Sequence, residues 1–196
     1  MNMSGQFWRM NVLTEKSRSI VPGDLRYFVE NFSGQRMLDR WKGPPPWTTV
    51  GKSKTFKDFV AWHTAAPLVS ERVKDSISDL FPDISVEYLP FSLLNRYAYY
   101  ALNVYKVFDC LDLERSEIFL SHSEGEGTPI KIVLNRSRTP NDHIFQIKGI
   151  MGHIFVSDVF ASAVLSQGFT GVGFTRLDTD VLSATISGKV LNEKTL

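Results

Sequence analysis

Apolar and polar positions alternate along this chain in two registers, and one composite pattern occurs twice. Residues 68–88 run Leu68-Val69-Ser70-Glu71, then an apolar stripe at helical spacing, then a break, then Ser85-Val86-Glu87-Tyr88. Residues 155–174 run Phe155-Val156-Ser157-Asp158, a second stripe, a break, then Gly171-Val172-Gly173-Phe174. Both read as strand, capped helix, strand. Each serine follows two apolar residues and precedes an acid, which is the pattern of an N-cap. The hydroxyl takes an orphan backbone N–H and the acid sits at the positive end of the helix dipole. Ser70 and Ser157 are therefore expected to be structural N-caps rather than nucleophiles, and neither stands in a G-x-S-x-G setting.

The stripe Val73, Ile77, Leu80, Phe81 fits one helix face ended by Pro82. The second stripe is expected to bury Val159, Phe160, Ala163 and Val164, with Gly168 placed as a C′ glycine. Phe7–Leu13 reads as an opening strand and Asp24–Phe32 as a short helix. The strongest strand signal is Tyr97–Asp109, with one face buried, the other partly wet, and a tyrosine content that suits a central position. Ile130–Leu134 and Ile144–Lys148 read as strands joined by a polar turn, and Ser121–Thr128 as a loop. Gly43-Pro44-Pro45-Pro46-Trp47 forbids helix and marks an extended segment. The sum is an α+β fold: a mixed, largely antiparallel sheet, two or three packed helices, and the repeated strand–capped helix–strand element. Residues 1–64 are expected to form a strand and helix region packed on a main domain at 65–180, with a tail at 181–196.

Composition narrows the function. The 196 residues are 43% hydrophobic with a net charge of +1, so a sizeable core is available and nothing pulls the whole molecule toward nucleic acid or anionic membrane. No run approaches the roughly 20 apolar residues of a membrane span, and the mixed first ten residues show no signal peptide; a cytoplasmic location is expected. Charge is segregated locally. Arg36–Lys57 holds six bases and one acid, together with Trp41 and Trp47. Asp109–Glu126 holds six acids (Asp109, Asp112, Glu114, Glu117, Glu124, Glu126) and one base, Arg115.

Candidate chemistry is thin. Cys110 is the single cysteine and lies in an apolar stretch, so no intramolecular disulfide forms and an inert thiol is expected. His63, His122, His143 and His153 show no i, i+4 metal spacing, so no metal is expected. Asp109, Asp112, Glu114 and Glu117 resemble a carboxylate cluster, but Asp112 and Ser116 also fit a turn. The glycines at 125 and 127 flank an acid, and those at 168, 171 and 173 lack the dinucleotide spacing, so no cofactor is expected. The absence of a recognisable active site favours a binding protein.

Several short motifs in order carry a resemblance. They are Pro67-Leu68-Val69-Ser70-Glu71-Arg72-Val73, Val86-Glu87-Tyr88-Leu89-Pro90, Tyr99-Tyr100-Ala101-Leu102-Asn103-Val104 and Phe108-Asp109-Cys110-Leu111-Asp112 with Ser116. Ile144-Phe145, Ile154-Phe155-Val156-Ser157 and Thr170-Gly171-Val172-Gly173-Phe174 complete the order. Over roughly residues 65–177 the chain resembles the eleventh immunity-protein family of bacterial polymorphic toxin systems. The resemblance implies a non-catalytic protein that binds and neutralises a cognate secreted toxin domain; with the charge and motif readings above, no nucleic acid, membrane or small-molecule cofactor is expected as a partner. The motif positions read as fold-makers. The expected partner-binding residues are therefore Asp112, Glu114, Glu117, Glu124 and Glu126, with Trp41 and Trp47 as a second surface. Competing readings are a hydrolase that reverses a toxin's modification through the 109–117 carboxylates, and an adaptor of a secretion apparatus.

Overall fold

The structure, a computed structural model, describes residues 6–53, 55–94, 97–120, 127–138, 140–150, 152–177 and 185–187. It is an α+β fold with largely antiparallel sheets. One sheet has four antiparallel strands in the order β4 (Phe59–His63), β5 (Ala66–Ser70), β7 (Tyr97–Val104), β6 (Val86–Leu93). The other has six, in the order β14 (Thr185–Ser187), β13 (Val172–Arg176), β1 (Phe7–Val12), β12 (Phe155–Ser157), β11 (Ile144–Ile147), β8 (Val107–Phe108). Only its β8–β11 pair is parallel. Two small ribbons, β2 (Ser19–Pro22) with β3 (Trp47–Val50) and β9 (Glu117–Leu120) with β10 (Gly127–Lys131), lie outside these sheets.

The sequence repeat is a structural repeat. Helix α2 (Glu71–Leu80) joins β5 to β6, which run parallel because β7 lies between them and is antiparallel to both. Helix α3 (Asp158–Ser166) joins β12 to β13 in the same way, and the strand between them is β1, from the other end of the chain. Ser70 and Ser157 both have extended backbone angles, and their Oγ atoms accept from the Val73 and Phe160 amides at 3.4 and 3.2 Å. Both are N-caps. Trp8 on β1 adds a third hold on the second unit by donating its indole N–H to the Asp158 carboxylate at 3.0 Å.

The two helices face one core. Val73, Ile77 and Phe81 pack with Phe160, Ala161 and Val164, and strand residues of both sheets (Val69, Leu102, Met10, Val156, Phe174) close around them. The Phe81 and Phe160 rings are 5.1 Å apart. Val159, expected inside, is 53% exposed; Ala161 takes the buried place, because the Ser157 cap sets Phe160, Ala161 and Val164 inward. Gly168 follows the C-cap Gln167 with a φ of +64°, as expected of a C′ glycine.

Each sheet's other face is also covered. Short helix α1 (Arg26–Asn31), with Ile20 and Met37, packs Phe28 and Phe32 onto Trp62, Leu68, Leu89, Phe91 and Ala101. Segments 110–111 and 132–134 cover Phe7, Phe145, Ile147 and Phe155. The long strand expected at 97–109 thus differs in two ways: it ends at Val104, and from Ala101 to Val104 both of its faces are buried, with Asn103 fully inside. Glu87 explains the polar residue, since its carboxylate accepts from Asn103 Nδ2 at 2.9 Å and from the Met37 amide at 2.6 Å. The segments at 130–134 and 144–148 do not pair with each other; Ile130 and Lys131 belong to the outer ribbon and Ile144–Ile147 to the six-stranded sheet. Of the C-terminal segment, residues 185–187 pair with β13.

Asp58 ties the two units together. Its Oδ1 accepts from Ser70 Oγ at 3.1 Å and lies 3.7 Å from Arg72 Nε; its Oδ2 accepts from the Thr170 amide and hydroxyl, both at 2.9 Å. The Phe59 amide donates to the Thr170 carbonyl and the Leu13 amide to that of Gly171. Gly171 has a φ of +87°, and an added Cβ there would land on the Phe59 carbonyl oxygen, so only glycine fits.

Hydrogen bonds to a partly buried carboxylate are worth about 1.5–3 kcal/mol, and loss of an N-cap side chain about 1 kcal/mol. We expect Asp58→Ala to lower unfolding free energy in urea by about 3 kcal/mol and Ser70→Ala by about 1 kcal/mol. The two losses should be less than additive in a double-mutant cycle, because the side chains share a hydrogen bond. Equal costs, or strict additivity, would contradict the hub.

Candidate functional site

The acidic segment leaves the core in a defined way. Cys110 and Leu111 lie on the outer face of the six-stranded sheet, bound across to 133–135: the Asp112 amide donates to the Val133 carbonyl at 2.9 Å and the Asn135 amide to that of Cys110 at 2.8 Å. The chain then reverses. Asp112 Oδ1 accepts from the Arg115 amide at 3.2 Å, its carbonyl accepts from the Ser116 amide, and Ser116 Oγ exchanges two hydrogen bonds with the Val133 backbone. Asp112 thus spends its carboxylate on building the turn. What the turn presents is Leu113, 76% exposed, beside the exposed Glu114. Glu117 is exposed at the start of β9, paired in register with Lys131. Next to Lys131, at the register shift in β10, stands Ile130, 68% exposed.

These two apolar side chains are the most exposed large hydrophobic residues among those described. The charge pattern did not reveal them, although an isolated leucine between Asp112 and Glu114 was the available signal. Glu124 and Glu126 lie outside the described residues. Asp109 is exposed and lies 3.7 Å from Lys148. The carboxylates of Asp109 and Asp112 therefore face different cations, Lys148 and Arg115, rather than each other.

The Trp41 and Trp47 surface is partly absorbed by the fold. Trp41 donates its indole N–H to the Pro90 carbonyl at 2.9 Å, and the Trp47 ring lies 5.5 Å from that of Phe91. Several bases of the same stretch are also engaged: Arg36 stacks over Tyr105 with its guanidinium 4.5 Å from the ring, Arg40 donates to Gln35, and Lys57 donates to the Glu15 carbonyl. Nearby, an open depression of about 360 Å³ is lined by Pro90, Phe91, Ser92 and residues 97–100.

The remaining candidates are structural. Ser157 Oγ lies 2.8 Å from His143 Nδ1, a pairing that on the surface would suggest a nucleophile with its base. Ser157 is 3% exposed and already occupied with the Phe160 amide, so no substrate reaches it. Cys110 is buried, and that burial pushes its thiol up to about 11, which removes thiolate at neutral pH. Among the described residues no three His, Cys, Asp or Glu side chains are grouped to hold a metal ion.

No curated protein matches the chain. A family match does exist, and it extends beyond the stretch from Pro67 to Phe174 that carried the resemblance. It takes in β1, the strand that completes the second strand–helix–strand unit. With residues 3–179 matching the immunity protein family Imm11, the chain belongs to that family.

Proposed function

We propose that this protein neutralises a bacterial toxin by forming a one-to-one complex with it, and that the outer ribbon β9–β10 with the preceding turn is the docking surface. Immunity family membership supplies the partner class, a toxin protein. The observation that carries the surface is Leu113, held out at 76% exposure between acids by a turn that Asp112 and Ser116 close with hydrogen bonds.

An exposed leucine on a rigid turn costs solvation in the free protein. Such residues serve as anchors when a partner covers them, because truncating a desolvated anchor typically costs 1–2 kcal/mol or more of binding energy. Asp112 and Glu114 flank the anchor in the chain, and Glu117 follows at the start of β9. This selects a toxin with a basic surface, as expected of one that acts on nucleic acid or nucleotides. The acids steer encounter and the apolar pair slows departure. The work is done where the toxin acts, in the cytoplasm of the producing cell; no helix of the described residues is long and apolar enough to cross a membrane. Trp41, Trp47 and the depression beside Pro90 form a second surface, available to a toxin large enough to reach both.

Two measurements on the complex with the cognate toxin test the reading. Leu113→Ala is expected to raise the dissociation rate about tenfold, equivalent to about 1.4 kcal/mol, with little change in association. Glu114→Lys with Glu117→Lys should slow association about tenfold at low salt and flatten its ionic-strength dependence. If both variants bind with wild-type rates at every salt concentration, the surface lies elsewhere.

A further inference from the structure

Three basic side chains come from elements that meet at one end of the six-stranded sheet: β1, the loop before β12, and the end of β4. Arg9 on β1 pairs in register with Phe155 on one side and Thr175 on the other, which places it on the outer face of the sheet with Phe7 and Asn11. Its Nε is buried and has no hydrogen-bond partner, and no carboxylate among the described residues forms an ion pair with its guanidinium. His153 enters the same face two residues before Phe155, and Met10 bonds to the neighbouring Ile154 carbonyl at 2.9 Å. His63 arrives from the four-stranded sheet at the end of β4. The turn after it packs against the 152–153 loop, since a Cβ added to Gly152 would lie 3.8 Å from Thr64 Oγ1.

The orientation of His63 is fixed. Its ring stacks on Phe28 with centroids 4.2 Å apart, and Nδ1 accepts from the Ala65 amide at 3.2 Å, which leaves Nε2 as the N–H donor. His153 makes no hydrogen bond among the described residues. Burial holds both imidazoles well below the ordinary range, to about 4 in each case; His153 adds to the effect on His63, and Arg9 to that on His153. Burial also lowers Arg9. A partly buried guanidinium near imidazoles, with no counter-charge among the described residues, is costly unless something supplies the acceptors.

We propose that Arg9, His63 and His153 form a receptor for a single oxyanion, a carboxylate or a phosphate group, gripped by the guanidinium fork and the two imidazole N–H groups. Arg9 gives the planar, bidentate recognition that such oxyanions fit. Asn11 is not a competing acceptor, because its Nδ2 donates to Thr175 Oγ1 and to the Arg9 carbonyl. The oxyanion comes either from an acidic side chain of the docked toxin, which rests on the proposed function above, or from free phosphate, which does not. In either case the anion favours protonated imidazole, so binding takes up protons and tightens as the pH falls from about 6 toward 4, the range set by the two low midpoints.

The first test uses the free protein. The imidazole resonances of His63 and His153 are titrated by NMR in chloride, then with inorganic phosphate and with acetate at matched ionic strength. The expected result is an upward shift of both midpoints by about one pH unit in phosphate or acetate, absent in Arg9→Met. Midpoints identical in all three salts, or a shift that survives Arg9→Met, would overturn the proposal. If Arg9→Met does not fold, Arg9→Lys, which keeps the charge without the fork, should shrink the shift. The toxin arm separates the sources: if an acidic toxin residue occupies the site, phosphate competes with toxin binding in the wild type and not in Arg9→Lys. If the free protein shows the shift but phosphate leaves toxin affinity unchanged, the ligand is the free anion.

Discussion

The architecture depends on the Asp58 carboxylate. It stands at the entry to β4, reaches the N-cap of one repeat through Ser70, and holds the loop between α3 and β13 of the other through Thr170. One side chain therefore fixes the relative placement of two helices that share a core. Its polar contacts would be weak if fully exposed; at 19% side-chain exposure they are partly shielded, and each is charge-assisted. Gly171 is the steric counterpart, because the hub closes only where no Cβ intervenes.

With the helices committed to the shared core, each sheet still had an apolar outer face to cover. Residues from 20 to 47 cover one and the chain on either side of the β9–β10 ribbon covers the other. The two segments that stood out by charge are thus first of all covers. In the basic segment most of the outward chemistry is turned back on the fold, as at Trp41 and Arg36. In the acidic segment the backbone and Asp112 satisfy one another, and Leu113, Glu114 and Ile130 are left facing solvent.

What was legible in the sequence was local. An N-cap announces itself within four residues, so Ser70 and Ser157 could be assigned and their chemistry dismissed before any coordinates. The central place of β7 could be read from its tyrosines. What was not legible was pairing between distant segments. Nothing near Phe7 says that β1 completes a unit whose other parts begin at Phe155, because strand pairing leaves no short-range mark. The same gap hid the burial of both faces of β7, which depends on a cover built from residues far upstream. It also hid the approach of the loop at Gly152 to the turn after His63. The expected inward turn of Val159 failed for a smaller reason: a stripe read one residue out of phase still looks apolar, and only the cap fixes the phase.

The proposed complex is one in which the inhibitor acts by occupancy, and occupancy has a stoichiometry. The direct test is to titrate the cognate toxin's activity with this protein at concentrations far above the dissociation constant. The account predicts a linear loss of activity that ends at one equivalent, with a one-to-one complex isolated at the same ratio. Full protection at a small fraction of an equivalent would contradict it, since only a turning-over enzyme could protect toxin-exposed targets in that way.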